Sequence, residues 1–258
     1  MLIDLGRRLN VIRDGEATAE RIYGASDRSK KRNKAEPSGT RFHCPICARW
    51  YRRFQSFGLK GRPNARCPGC GSLERHRFLW LYLNKTFNTR RRVRNVLHVA
   101  PETCLQSVIL QQPGILYVGV DRYDDDANAE QQDLTALKFS AGSFDLLICN
   151  HVLEHILDDR AALSEIRRVL RPSGRALIMV PIDRNRCVTY ENPSINSTVA
   201  RHEAFGHPYH VRICGWDYAG RIRELGFDVR EVHSTSLSEH KRRINRINKT
   251  LLYDCTPR

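Results

Sequence analysis

The residues of this chain best suited to chemistry fall into two groups: four cysteines near the amino end, then carboxylates, an asparagine and histidines farther along. Cys44 and Cys47 form one Cys-x-x-Cys pair, and after nineteen intervening residues Cys67 and Cys70 form another. Two tight turns, each presenting two sulfurs, suit four thiolates converging tetrahedrally on one zinc ion. Pro45, Pro68, Gly69 and Gly71 are the turn formers such knuckles use. Between the pairs, Trp50, Tyr51, Phe54 and Phe57 supply a core too small to stand without metal. Four sulfurs fill the tetrahedron, so the expected Zn2+ is structural and the flanking His43 and His76 are not needed as ligands. The competing readings are a disulfide pair or a redox-active Cys-x-x-Cys. Cys104, Cys149, Cys187, Cys214 and Cys255 are scattered singly, and an odd total of nine points to a reducing compartment.

The second group depends on strand–helix–strand units. Phe144 to Cys149 reads as an apolar run, broken only by Asp145, of the kind buried on both faces of a parallel sheet, and Asn150-His151 is the polar cluster where it emerges. Ala162, Leu163, Ile166, Val169 and Leu170 then recur at helical steps. Arg171 to Gly174 is expected to break that helix, with Ala176 to Val180 as the next buried strand. Upstream, Val96 to Ala100 reads as a buried strand, and Pro101-Glu102 opens a helix with proline at its first position. Leu116 to Val120 is a second strand ending in Asp121. Open α/β sheets bind ligands at the carboxyl ends of their strands, which singles out Asp121, Asn150 and His151. Asp121 lies 21 positions after Ala100, the separation at which such an acid accepts both hydroxyls of a ribose; the alternative is a strand-end turn residue. No GxGxxG follows the first strand, which argues against a nicotinamide oxidoreductase.

Farther on, residues 182–211 read as irregular, and His207, His210 and Arg212 are candidates to face a substrate. His210 is the candidate general base, should the acceptor need one. Glu154 and His155 read as helix-start and packing residues. Cys214 to Leu225 is expected as a helix stopped by Gly226, and Phe227 to Val232 as a strand. The run Lys241, Arg242, Arg243, Arg246 and Lys249 is expected as a loop, and Thr250 to Cys255 as a last edge strand. Asp124 to Asp126 looks like a solvated acidic loop without metal.

With 258 residues the chain holds one α/β domain and a small module. The expected divisions are a basic flexible segment over 1–41, a zinc ribbon over 42–72, a connecting helix and linker over 73–92, and the α/β domain over 93–258. No apolar run approaches the ~20 residues of a membrane helix, and the first residues lack a secretory signal, so a cytoplasmic location without membrane contact is expected. The net charge of +15 is uneven: residues 1–95 hold 23 Lys and Arg against 7 Asp and Glu, and the rest is close to neutral. That asymmetry suits a polyanionic partner such as RNA, or a solvated basic surface.

Taken together, FDLLICNHVLEH, DDRAALSEIRRVLRPSGRALIMVP and GVD resemble the class I S-adenosylmethionine-dependent methyltransferases. The combination CPICA…CPGCGSLERHR, LHVAPE, CNHVLEH and FGHPYHVRICG is similar to a bacterial subfamily that carries a four-cysteine zinc ribbon and an LHxAPE turn; the likeness covers roughly residues 42–234. It implies a Rossmann-like seven-stranded sheet preceded by a small zinc ribbon, with S-adenosylmethionine as cofactor. Asp121 would hold the ribose, and Asp133 with Leu134 would border the adenine. Asn150 and His151 would lie beneath the methyl group, and Ala100 to Glu102 would face the methionine moiety. Glu102 would either bind the cofactor ammonium or serve as a first-turn helix acid. The turn departs from the superfamily's glycine-rich form, since Pro101 donates no N–H. A ribbon joined to a methyltransferase domain also occurs in an rRNA guanine methyltransferase family, and the acceptor is open among RNA, a sugar and a small molecule. The rival from another class is a catalytically silent, zinc-containing module that binds nucleic acid or protein on the same fold.

Overall fold

The computed structural model describes residues 41–59, 61–89, 93–122 and 129–258. The segment 1–40 and the acidic triplet Asp124 to Asp126 lie outside the described residues. The chain divides into two compact units, one running to Tyr82 and taking in Leu237–Asn248, the other comprising Leu83–Ser236 and Lys249–Arg258.

The first unit is built on two antiparallel hairpins, β1 (Phe42–Cys44) with β2 (Arg49–Tyr51) and β3 (Gln55–Phe57) with β4 (Arg62–Arg66). Phe42, Phe54 and Tyr51 meet edge to face as its apolar centre, with centroids 6.1 Å and 5.8 Å from Phe54. Helix α1 (Glu74–Thr89) starts in this unit. Its Arg77 is fully buried and lies 4.7 Å over the Phe54 ring.

The second unit opens with β5 (Asn95–Val99), α2 (Thr103–Ile109) and β6 (Leu116–Asp121), followed by the two-residue β7 (Glu130–Gln131). Then come β8 (Phe144–Asn150), α3 (Asp159–Val169) and β9 (Leu170–Met179). Helix α3 follows its sequence pattern: Ala162, Leu163, Ile166 and Val169 are buried, the Asp158 side chain accepts the Ala161 N–H, and Arg167 and Arg168 close the last turn. The expected break after it is instead a bulged start to β9, because Leu170 already pairs with Phe144 before the register shifts. Gly174 permits this crossing, since a Cβ there would lie 2.9 Å from Arg171 O and 3.0 Å from Phe144 O. Pro101 also falls outside its helix, because Glu102 takes the N-cap of α2.

The segment expected as irregular contains β10 (Tyr190–Glu191) and the Ser197-capped helix α4 (Thr198–Phe205), and β11 (Arg212–Ile213) follows it directly. Helix α5 (Tyr218–Glu224) is shorter than expected at its start, where Cys214 bridges Ile182 instead; Gly226, at φ +83°, ends it. Strand β12 (Phe227–His233) follows, and the chain then crosses into the first unit. There Lys241 to Arg243 of the basic run lie in the short helix α6 (Glu239–Ile244), capped by Ser238, where a loop was expected, while Arg246 and Lys249 lie beyond it in turn and loop. The helix lacks an apolar stripe, and Arg77 secures it by donating to the carbonyls of Asn245 and Arg246. The chain returns as β13 (Leu251–Pro257).

The sheet order is β12-β13-β9-β8-β5-β6-β7, with β5 to β9 parallel and β12 and β13 antiparallel. The seven-stranded Rossmann-like α/β sheet implied by the sequence is present. Strand β13 is not the edge: it lies between β12 and β9, and Leu251 to Cys255 are buried. Its Asp254 resists an edge assignment for a physical reason, being buried and paired with Arg175 of β9 and Arg230 of β12. Among the described residues, no helix is long and apolar enough to cross a membrane.

Candidate functional site

In the first unit, the turn after β1 and the turn after β4 bring Cys44, Cys47, Cys67 and Cys70 together, with all four sulfurs within 4.8 Å of one another. Cys44 Sγ is 3.6 Å from Cys70 Sγ, and Cys47 Sγ is 3.8 Å from Cys67 Sγ. A tetrahedron with metal–sulfur bonds of about 2.3 Å has edges of about 3.8 Å, so the spacing fits a zinc ion. The Cys44 and Cys70 side chains draw the Cys67 thiol down to about 3, while Cys44 and Cys67 push Cys70 far up. Four sulfurs this close cannot all ionise without a cation among them. Neither His43, bound to Asn245 at 3.1 Å, nor His76, which accepts the Leu73 N–H, joins the cluster.

In the second unit, β5 leads to β6 and β7 on one side, whereas β8 and β9 lie on the other. The reversal between β5 and β8 is the topological switch at which such sheets take ligands. Two sequence-predicted groups meet there. Asn150 ends β8 and its Nδ2 donates to Glu102 Oε1, while Glu102 Oε2 lies 3.1 Å from His98 Nε2. His98 is buried in β5, and its Nδ1 lies 3.0 Å from Tyr117 Oη on β6. Burial and the nearby Glu102 push the Tyr117 hydroxyl well above its ordinary value, which keeps it protonated. Because a carboxylate only accepts, Asn150 must turn its amide nitrogen to Glu102. That leaves Asn150 Oδ1 buried with no partner among the described residues. A buried acceptor without a donor is costly, so this atom points to an N–H or ammonium supplied by a ligand.

The backbone at this edge is also unusual. Ala100 and His151, which follow the ends of β5 and β8, take φ +46° and +57°. Neither is a glycine, and such strain persists where surrounding bonds over-determine it. Here the Ala100 N–H donates to Val120 O at 2.7 Å and the His151 N–H to Met179 O at 2.8 Å. Asp121 ends β6 at the same side of the sheet and is half-buried. Asp133 spends one oxygen on the Thr135 N–H and hydroxyl, at 2.9 and 2.8 Å, and stands 3.4 Å from Arg122. The Thr135 N–H is the main reason its carboxyl sits below the usual range. Leu134 is buried in the core beside it.

The helical turn after β8 gathers the histidines. His151 Nδ1 is 3.0 Å from the buried Glu154 Oε1. Burial opposes the charge on Glu154, yet contact with His151 and the nearby His155 and His210 rings hold its carboxyl down to about 2. His155 packs on His207 and His210 from the loop after α4, and the donor atoms of the three rings lie within 4.8 Å of one another. Burial pushes His210 down to about 3 although Glu154 pulls the other way; a ring of so low a proton affinity is a weak base near neutrality. Arg212 does not face outward. It is buried, donating to the carbonyls of Leu153, Ile156 and Leu157 and pairing with Glu191 at 3.0 Å, so its position supports holding the loop, not touching a substrate.

Sequence reading missed His98 and Tyr117 as the hold on Glu102, although a histidine inside an otherwise apolar strand was a visible signal. The grouping of His155 with His207 and His210 had no local signal, because some fifty residues separate them.

The family model described as a methyltransferase domain matches residues 97–178, which run from β5 through β9. A Streptomyces fradiae protein, described as an uncharacterized 37.1 kDa protein in transposon TN4556, is 34% identical over 73 residues, or 28% of this chain. The chain spans only 21% of that relative's length. Among solved structures, the [4+2]-cyclase SpnF is similar at TM-score 0.52 and 11% identity, covering 80% of this chain and 88% of that one. The Burkholderia thailandensis 1,6-didemethyltoxoflavin-N1-methyltransferase, solved with 1,6-didemethyltoxoflavin and S-adenosylhomocysteine, is similar at TM-score 0.50 and 17% identity, covering 69% and 75%. At such identities these likenesses establish the fold. One of the two is described as a cyclase, so the fold does not by itself name a reaction.

Proposed function

We propose that the second unit is a class I methyltransferase that uses S-adenosylmethionine, of the subfamily with a four-cysteine ribbon and an LHxAPE turn. The match of residues 97–178 to the methyltransferase domain supports this reading. The observation that carries it is the Glu102–Asn150 bridge across the switch point, with Asn150 Oδ1 left for a ligand donor. S-adenosylmethionine, when bound, supplies a methyl group already activated on a sulfonium. The chain's own residues bind and orient. Glu102, steadied by His98 and Asn150, offers its carboxylate to the cofactor ammonium, and Asn150 Oδ1 is a second acceptor for it. Asp121 accepts from the ribose hydroxyls, Asp133 and Leu134 border the adenine, and His151 lies on the methyl side with Glu154 fixing its ring. Ala100 carries the chain around the methionine end. Methyl transfer depends on in-line placement more than on proton transfer, so the weakly basic His210 is not given the base's role.

Isothermal titration of the purified chain with S-adenosylhomocysteine tests the reading. Binding at micromolar strength, weakened about tenfold or more by Asn150→Ala, is expected. A chain that binds neither this compound nor S-adenosylmethionine is instead the silent zinc-containing module.

For the first unit the reading is a structural Zn2+ on Cys44, Cys47, Cys67 and Cys70, supported by the sulfur spacing. RNA contact is proposed for the basic amino-terminal third. Support comes from Arg41, Arg49, Arg52, Arg53, Arg62 and Arg66, all exposed, and from the exposed indole of Trp50, on which a base can stack. Affinity for single-stranded RNA should then fall steeply with added salt, and no retention at low salt would remove the proposal. A cytoplasmic location is proposed with it, supported by Cys149, Cys214 and Cys255, which are buried as thiols and not joined in disulfides.

A further inference from the structure

The second unit holds a cluster that the proposed reaction does not use. His155, His207 and His210 each turn a ring nitrogen into one small volume, with all three donor atoms within 4.8 Å of one another. The rings are 4.5 to 5.8 Å apart between centroids. We propose that these three imidazoles form a binding site for a divalent transition-metal ion, distinct from the four-cysteine site.

The donor set selects the ion. Three neutral imidazoles without a thiolate favour Zn2+, Ni2+ or Co2+ over Mg2+ or Ca2+, which prefer oxygen. Metal–nitrogen bonds of about 2.0–2.1 Å around a tetrahedron put the nitrogens about 3.4 Å apart, so the rings need close by only about an ångström. Three protein ligands leave a fourth position open, unlike the filled tetrahedron of four sulfurs.

The surroundings hold the rings as such a site requires. His155 Nδ1 lies 3.1 Å from Tyr209 O, the backbone contact through which a ligating histidine commonly fixes its ring and aims its other nitrogen at the ion. The loop that carries His207 and His210 is fastened to the turn that carries His155: the Val211 N–H donates to Glu154 O at 2.9 Å, and Arg212 binds three carbonyls of residues 153–157. The buried Glu154 carboxylate stands next to His155 in the chain. It supplies negative charge behind a cation.

Nickel titration of the untagged full-length protein, after its four-cysteine site has been filled with one equivalent of Zn2+, tests this directly. Calorimetry should give one Ni2+ per chain at micromolar affinity or tighter. His207→Ala and, separately, His207→Gln should each weaken it roughly tenfold or more, with zinc content and the far-ultraviolet circular dichroism unchanged. Absence of any ion beyond the one zinc in the wild type would mean that the rings only pack on one another, and would overturn the proposal. Equal nickel affinity in wild type and both variants would overturn it too. Neither readout depends on cofactor binding or methyl transfer.

Discussion

At the scale of single residues, the carboxylate of Glu102 and the amide of Asn150 are the most consequential pair. The two bind each other across the sheet, and Asn150 Oδ1 is left buried without a partner among the described residues. Tyr117→Phe should leave His98 Nδ1 without its hydroxyl partner, lowering stability by about 1 kcal/mol and loosening Glu102. Chemical denaturation checks the first effect and cofactor titration the second. Asp121→Ala should be harsher on binding than on stability. Losing a charge-assisted acceptor for two hydroxyls is worth about 1.5–3 kcal/mol, a drop of roughly ten- to a hundredfold in cofactor affinity at nearly constant melting temperature. An unchanged affinity would move the ribose elsewhere.

At the scale of elements, two features of the α3–β9 unit fasten the amino ends of β8 and β9. The crossing of Gly174 under Phe144 admits no side chain. Gly174→Ala should therefore cost about 1–3 kcal/mol, because the added carbon meets backbone atoms that cannot turn aside; thermal unfolding reads it. The second feature is the clamp from α3 to the loop before β8. Glu165 binds Arg168 and accepts the Leu137 N–H at 2.9 Å, while Arg168 donates to the carbonyls of Leu137 and Phe139. The Arg168 hydrogen bond is the first cause that holds the Glu165 carboxyl below its usual range. A carboxyl depressed by folding contributes stability above its unfolded value, and that contribution is lost as the pH falls through the folded value. The melting temperature should thus decline on acidification below the ordinary carboxylate range, with a shallower decline in Glu165→Gln. Identical slopes would show that the clamp carries no such linkage.

At the scale of the whole chain, each compact unit has its own basis for stability. The second rests on a continuous core between one face of the seven-stranded sheet and helices α3 and α5, with Val96, Leu146, Ile148 and Leu177 buried on the other face. The first has two short hairpins, few apolar side chains and the buried Arg77, whose donors are consumed by the carbonyls of Ala65, Ser72, Asn245 and Arg246. Arg77→Ala should strand those acceptors and lower the first unit's stability by about 2–4 kcal/mol. Chelation of the four-cysteine site should unfold the first unit while leaving the larger sheet and its cofactor binding in place. Tryptophan fluorescence from Trp50 and Trp80 would report the first event and calorimetric titration the second. A single transition that abolishes both at once would contradict that independence.

Whatever a short window of residues can encode was legible before any fold was known. The runs Val96 to Val99 and Phe144 to Cys149 are apolar apart from His98 and Asp145 because both faces of a central parallel strand are covered, and that is readable from consecutive residues. The two Cys-x-x-Cys turns and the acid ending β6 were likewise legible, since each rests on short spacings. Features that depend on distant partners emerged only from the folded arrangement. β13 became an interior strand because Asp254 finds arginines on both neighbours, which no window around it reveals. The first part of the basic run, Lys241 to Arg243, became a capped helix whose carboxyl end is held by Arg77, some 168 residues away. Arg212 turned inward because the carbonyls after β8 needed its donors, and His155 met His207 and His210 because that same arginine closes the loop upon them. Burial converts such residues from solvated charges into obligatory partners, and only the folded chain specifies which partners they meet.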